Sequence, residues 1–293
     1  MTLDNIKQTP QTVIAVQKDG TSYYTQALGR STLGSGLYRM KAIVADGEYI
    51  PGFTPVEISN DPPVEIDNSI SEISQELQTF LGRREIFKKM GFAHKRGYLF
   101  HGPPGCGKSS TLRLLESLFV EKFDGLVLFW DNGGSVQDYY EHVRRHEPER
   151  PVMLVCEDID NQVSSFEESI LEFLDGHQGL NNFVLVSTTN NLEAIPSRIK
   201  DRPSRIDRLV AINKPSQEIR YNYLLSAGIS KSSALDLAKR TDGLSIAQLK
   251  EILVAVVCLE QPLKPVLERL KVADMSPLEG NLLKDDTDEY DDL

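Results

Sequence analysis

Residues 97–110 read GYLFHGPPGCGKSS, and their reading decides the fold. A short apolar run, GYLFH, is bounded by glycine and proline and reads as a buried strand. The stretch that follows, KSSTLRLLESLFV from Lys108, has the spacing of a helix. Between them lies G-x-x-x-x-G-K-S, carried by Gly102, Gly107, Lys108 and Ser109. Glycines let a backbone curl until its N–H groups face an anion, and the positive end of the next helix favours negative charge at the same place. Lys108 is placed to reach a β- or γ-phosphate, and the Ser109 hydroxyl is offered to Mg²⁺. Gly102, Pro103, Pro104, Gly105, Cys106, Gly107, Lys108, Ser109 and Ser110 are therefore the candidate phosphate-binding residues, with ATP and Mg²⁺ as the ligands.

The same rhythm extends to both sides. GLVLFW, VMLVCE, FVLVSTT and DRLVAIN are further short apolar runs, separated by SVQDYYEHVRRH and SFEESILEFLDG, which have amphipathic helical spacing. Strands alternating with helices predict a parallel sheet covered on both faces. Before them, ISEISQELQTFLGRREIFKKMG puts Ile70, Ile73, Leu77, Phe80 and Leu81 on one helical face. After residue 216 the strands stop, and three helical stretches predict a small lid. Residues 12–58 read differently, as short strands with Asp-Gly turns, and predict a small β-rich module. The expected organisation is a module over 1–60, a linker over 61–66, an αβα nucleotide-binding domain over 67–213, a helical lid over 214–275 and a disordered tail over 276–293.

RGYLFHGPPGCGKSS resembles the AAA+ ATPases. Its Gly-Cys-Gly-Lys-Ser-Ser loop is especially similar to that of the mitochondrial AAA chaperones that insert the Rieske iron–sulfur protein, though no stretch here matches that family's membrane anchor. That family also has the acid order found here in LVCEDID, residues 154–160, where Glu157 precedes Asp158. The resemblance covers residues 67–260 and implies further roles. Glu157 takes the place of the acid that holds the Mg²⁺ shell. Asp158 takes that of the acid polarising the attacking water, and both roles need only a carboxylate with the correct reach. Asn190, in VLVSTTNN, takes the place of the residue that holds that water. Arg202 and Arg205, in IKDRPSRIDRLV, take the places of arginines that reach a neighbouring subunit's nucleotide, with Arg198 and Arg208 as flanking candidates. Gly243, Ser245 and Ala247, in DGLSIAQ, match a lid motif that packs near the adenine.

The implied activity is Mg²⁺-dependent ATP hydrolysis in a homo-oligomeric ring of six or seven subunits, moving or remodelling a protein partner bound by the N-terminal module. A nucleic-acid loader and an ATP-dependent scaffold without turnover are the alternatives. The net charge of −11 speaks against the loader. From Ser276 onward there are seven acids and one Lys, so the tail carries −6 and the body −5. The scaffold is favoured by the Glu-Asp order alone. Trp130 reads as a sheet-end core residue, since no apolar residue and Gly follow it as a substrate-gripping loop requires, and Tyr139 and Tyr140 read as packing residues. Cys106, Cys156 and Cys258 have no metal-ligand spacing and read as reduced thiols of a cytoplasmic protein, with Cys106 activated by Lys108 and by the helix N-terminus. The five histidines lack ligand spacing too, and His142 and His146 read as solvated. No apolar run is long enough to span a membrane.

Overall fold

A computed structural model describes residues 13–14, 33–45, 48–57, 68–130, 135–175, 180–202, 204–270, 272 and 283. In chain order the elements are β1 (Val13–Ile14), β2 (Gly36–Ala45), β3 (Glu48–Val56), α1 (Asn68–Leu81), α2 (Arg84–Met90), β4 (Lys95–His101), α3 (Lys108–Phe123) and β5 (Leu126–Phe129). There follow α4 (Val136–His146), β6 (Val152–Cys156), α5 (Ile159–Asp175), β7 (Phe183–Thr189), α6 (Ser197–Lys200) and β8 (Arg208–Ala211). The named elements that follow are helices, α7 (Gln217–Ser226), α8 (Lys231–Arg240), α9 (Ile246–Leu253) and α10 (Leu263–Arg269).

The strands form one sheet in the order β1-β3-β2-β5-β6-β7-β4-β8. The pairs β4–β7, β6–β7 and β5–β6 are parallel, as the alternation of strand and helix predicts. Every residue of β6 and β7 is buried, which explains why both read as unbroken apolar runs and not as alternating patterns. Trp130, Tyr139 and Tyr140 are all buried, and Tyr140 packs edge-on against Phe173 and Phe183. On α1, Ile70, Ile73, Leu77 and Phe80 are buried on the expected face, while Gly82 ends the helix and α2 begins afresh at Arg84.

The N-terminal strands, expected as a small β-rich module, join the sheet. β2 and β3 are antiparallel partners over Leu37–Val56, as the Asp46-Gly47 dipeptide between them requires. Yet β2 also pairs in parallel with β5, Leu37 opposite Val127 and Tyr38 opposite Leu128. The described part of residues 1–60 thus continues the central sheet. A lone hairpin is marginal in water, and pairing with β5 gives it a sheet to belong to. Phe53 of β3 sits in the same core and meets Tyr139 of α4 at 5.7 Å between ring centroids. The other expected turn, at Asp19-Gly20, the linker at 61–66 and, Leu283 aside, the tail from 276 lie outside the described residues.

The chain divides into two compact units. One takes residues 1–61, 73–101 and 112–210, and contains most of the sheet. The other takes 62–72, 102–111 and 211–293, and so unites the phosphate-loop sequence with the helical segment. In the second unit, Arg220 of α7 is almost fully buried. It donates to the carbonyls of Pro215 (2.7 Å) and Ala238 (3.0 and 3.1 Å) and to Asp242 (2.9 Å). One guanidinium thereby satisfies the otherwise orphaned carbonyl at the end of α8, where intrahelical donors run out.

Candidate functional site

The phosphate loop has the shape its glycines allow. A Cβ on Gly102 would lie 2.0 Å from the Ile212 carbonyl oxygen, so no other residue fits there without moving backbone. Gly105 has φ +73°, the left-handed region, and a Cβ there would meet Ala247 at 2.9 Å and the Ser245 hydroxyl at 3.0 Å. Lys108 is buried, and its ammonium donates to the carbonyls of Gly102 (2.7 Å) and Pro103 (3.0 Å). The loop thus curls around its own cation. Pro103, Pro104 and Gly105 are exposed, as is Ser109 in the first turn of α3, while Ser110 is half-buried.

The structure brings the predicted lid motif to this loop. The Ala247 N–H donates to the Gly105 carbonyl at 3.1 Å. Ser245 caps α9 in a reciprocal box, its hydroxyl accepting from the Gln248 N–H and its own N–H donating to Gln248 Oε1. Gly243 lies in the turn just before. The Gly-x-Ser-x-Ala pattern is therefore a helix start built to meet the phosphate loop.

The second group sits in the other unit, at the ends of β6 and β7. Cys156 pairs with Ser187 in parallel register, which sets residues 157–160 beside residues 188–190. Thr188 Oγ1 accepts from the Asp158 N–H at 3.0 Å. Thr189 Oγ1 donates to Asp160 Oδ1 at 2.8 Å, and Asn190 Nδ2 donates to Asp158 Oδ1 at 2.9 Å. Asp158 has φ +47°, left-handed without being glycine. Glu157 is exposed. Glu116 of α3 is buried, and burial, reinforced by the Glu157 charge, pushes its carboxyl up to about 7.

These residues fit a nucleotide and its metal. A curled loop ending at the N-terminus of a helix of sixteen residues, with a buried ammonium, is a cradle for a polyphosphate. Among the described residues no cluster of three or more His, Cys, Asp or Glu could hold a metal by itself. Mg²⁺ suits such a protein, since it keeps waters and substrate phosphates and takes only one or two protein donors.

Residues 98–214 match the model of the ATPase family associated with various cellular activities, AAA. The chain carries an AAA ATPase domain. This AAA domain hydrolyses ATP with Mg²⁺ as its metal. The chain is 25% identical to 26S proteasome regulatory subunit 8 homolog B of Arabidopsis thaliana, over 98% of this chain and 70% of that protein. It is 28% identical to the proteasome-activating nucleotidase of Methanosphaerula palustris, over 64% of this chain and 51% of that protein. The nucleotidase of Methanothermobacter thermautotrophicus is 24% identical over 71% of this chain and 58% of its own length. These likenesses support the AAA family and give no support to the narrower resemblance to the Rieske-inserting chaperones. What misled there was local, a cysteine in the loop and one acid order.

Elsewhere in the AAA domain, the arginines share one acid. Arg205 is buried and donates Nε to Asp175 Oδ1 at 2.8 Å, Nη2 to Oδ2 and Nη1 to the Arg198 carbonyl. Arg202 is exposed and reaches the same carboxylate at 3.2 Å. Asp207 instead accepts from the N–H groups of Gly97 and Ser204, which pins the segment to β4. Arg208 pairs with Glu76, together with Arg96 and Tyr98. Asp175 was not singled out in the sequence. The signal available was an acid closing a predicted helix just before a Gly.

Two readings are corrected. Cys106 is not activated: it is buried, and burial raises its thiol against the pull of Lys108 and Lys214. His142 is not solvated: it is buried with its ring 6.0 Å from Phe53, and burial takes it down to about 4. His94 is buried too, stacked on Phe80 at 4.1 Å. His177 lies outside the described residues.

Proposed function

We propose that the chain works as a homo-oligomeric ring whose Mg²⁺-dependent ATP hydrolysis remodels a protein partner. In this reading Lys108 neutralises the β- and γ-phosphates, and Ser109 and Glu157 face Mg²⁺ and its waters. Asp158 takes the proton side of the attacking water while Asn190 fixes its position. A water on the other oxygen of a carboxylate that an amide already holds has one hydrogen aimed at the acid and a lone pair free for the phosphorus. The observation that carries turnover over a silent scaffold is the 2.9 Å contact between Asn190 and Asp158, an acid and an amide already paired at a strand end.

The ring rests on Arg202. It is exposed and pairs at 3.2 Å with an acid that also holds Arg205, so its guanidinium can turn to a phosphate supplied by a second copy. The relatives' names tie them to the proteasome, which favours a protein partner over a nucleic acid, as does the acidic body. We assign partner recognition to residues 1–60, a hexamer as the ring and the cytoplasm as the compartment. No helix among the described residues is long and apolar enough to cross a membrane. Phosphate release measured against protein concentration tests the ring. Turnover per subunit should rise steeply as rings form. Arg202→Ala and Lys108→Ala proteins, each inactive alone, should regain turnover when mixed. Turnover independent of concentration, with no rescue in mixed rings shown to form, would remove the ring from the proposal.

A further inference from the structure

We propose that the acid order Glu157-Asp158 is dictated by the backbone, and that Thr188 is the positioning residue that holds it. The proposal rests on the reading of Asp158 as the water-polarising acid. Its physical basis is the φ of +47° at Asp158. Left-handed backbone is costly for residues with a Cβ, and Asp and Asn are the non-glycine residues that visit it most readily, because a short polar side chain can bond locally. Glu, with one more methylene, visits this region less readily. A Glu at 158 would carry more strain, so the longer acid stands at 157 and the shorter at 158.

The strained turn needs support from outside itself, and β7 provides it. Parallel pairing of Cys156 with Ser187 sets Thr188 beside the turn. Thr188 is buried, and its hydroxyl accepts the Asp158 N–H. On the other side, the Asn161 N–H donates to the Asp158 carbonyl at 2.9 Å as α5 begins. Thr189 ties down Asp160, and Asn190 meets the Asp158 carboxylate. The backbone turn thus aims a short acid at Asn190, and reach lost in the side chain is supplied by the main chain. Thr188 touches the backbone of the acid and not its carboxylate, which makes it a positioning residue.

The test uses the full chain with three readouts: melting temperature without nucleotide, affinity for an ATP analogue, and phosphate release. Thr188→Val keeps the shape and removes the acceptor. It should lower the melting temperature by about 2–4 °C, as loss of one buried hydrogen bond does in a chain of this size. It should cut phosphate release at least tenfold with ATP affinity within twofold, and Thr188→Ser should restore most of both. Exchanging the acids, Glu157→Asp with Asp158→Glu, should also lower the melting temperature and should abolish turnover. An exchanged protein that melts and hydrolyses like the wild type would overturn the proposal, as would Thr188→Val with unchanged melting and turnover. Asp158→Asn separates the two layers, since Asn keeps the left-handed turn. If Asp158→Asn still hydrolyses ATP, the role given to Asp158 has failed. The melting temperatures of Thr188→Val and the exchanged protein then still decide whether the turn is held as described.

Discussion

The phosphate loop and the acid turn both use left-handed backbone, and they are built oppositely. In the phosphate loop the unusual dihedrals fall on Gly102, Gly105 and Gly107, and at the first two side chains are excluded by contact. At the acid turn the unusual dihedral falls on Asp158, which has a side chain and needs it. The loop removes strain by removing atoms. The turn keeps its atoms and is held by hydroxyls and an amide from another strand. A binding surface can be made from glycine, because backbone N–H groups do the binding. A site that handles a proton cannot, because it needs a carboxylate.

The largest effect should come from the loop. Gly102→Ala would place a methyl 2.0 Å from the Ile212 carbonyl, so the backbone must shift and Lys108 loses a partner. Affinity for an ATP analogue should fall at least a hundredfold, on the order of 3 kcal/mol. Equilibrium titration checks this. Affinity within threefold of wild type would show that the loop tolerates what the turn is claimed not to need.

Asp158→Gly asks the converse question. Glycine accepts φ +47° without strain, so the protein should melt within about 1–2 °C of wild type. Phosphate release should nonetheless fall by about 10²–10³, the usual contribution of a positioned acid or base, with ATP still bound. A large drop in melting temperature would mean that the Asn190 contact carries stability and the comparison is drawn too cleanly.

The difference between the two places also explains what could be read from residues alone. The loop announces itself, since its glycines, lysine and serine are the motif. Lys108 is found where the motif requires, and the Gly-Ser-Ala match at 243–247 lies against Gly105. The strands were legible because β6 and β7 are buried from end to end. The acid turn was legible as a pair of carboxylates and illegible as a strained backbone, because Asp158 looks like any other Asp. Parallel pairing was equally hidden. Nothing in GLYRMKAIVA marks β5 as its partner, since the two strands are some ninety residues apart. From that one omission came the misreading of His142, whose burial is completed by Phe53 of the hairpin. Cys106 failed for a different reason, in that two cations raise thiolate character and burial opposes it more strongly. α10 follows the three helices expected after residue 216, and its Pro262 and Pro265 both lie at the helix start, where proline is tolerated.

The arginines sharpen the contrast in a third way. Arg205 and Arg202 are three residues apart and share Asp175, yet one is buried and one exposed. Arg205→Ala should strip a bidentate partner from Asp175 and leave the Arg198 carbonyl without its donor. A loss of about 1–2 kcal/mol is expected, read as a lower denaturant midpoint. Arg202→Ala should leave that midpoint unchanged and lose turnover in the assembled ring. Equal midpoints for the two variants would mean that Asp175 does not distinguish them.

The effect expected at Glu116 is on stability alone, and its sign is set by pH. The helix that starts at the phosphate loop carries this buried acid to within electrostatic reach of Glu157, and burial first, then that charge, hold it at about 7. In the unfolded chain a Glu titrates near its ordinary value of about 4.3. The folded state therefore binds the proton more tightly than the unfolded one. Its stabilising contribution is complete below the unfolded value and is lost as pH rises through 7. Glu116→Gln cannot ionise and keeps nearly the same volume. At pH 8 it should melt above the wild type by roughly 5 °C. The gap should close as pH falls from 8 toward 5, where the wild-type acid is protonated anyway. A gap that stays constant with pH would assign the gain to packing. A variant less stable than wild type at pH 8 would mean that the ionised carboxylate has a partner. The crowding of Glu116 and Glu157 would then be relieved by a cation, and adding Mg²⁺ should stabilise the wild type more than the Gln variant.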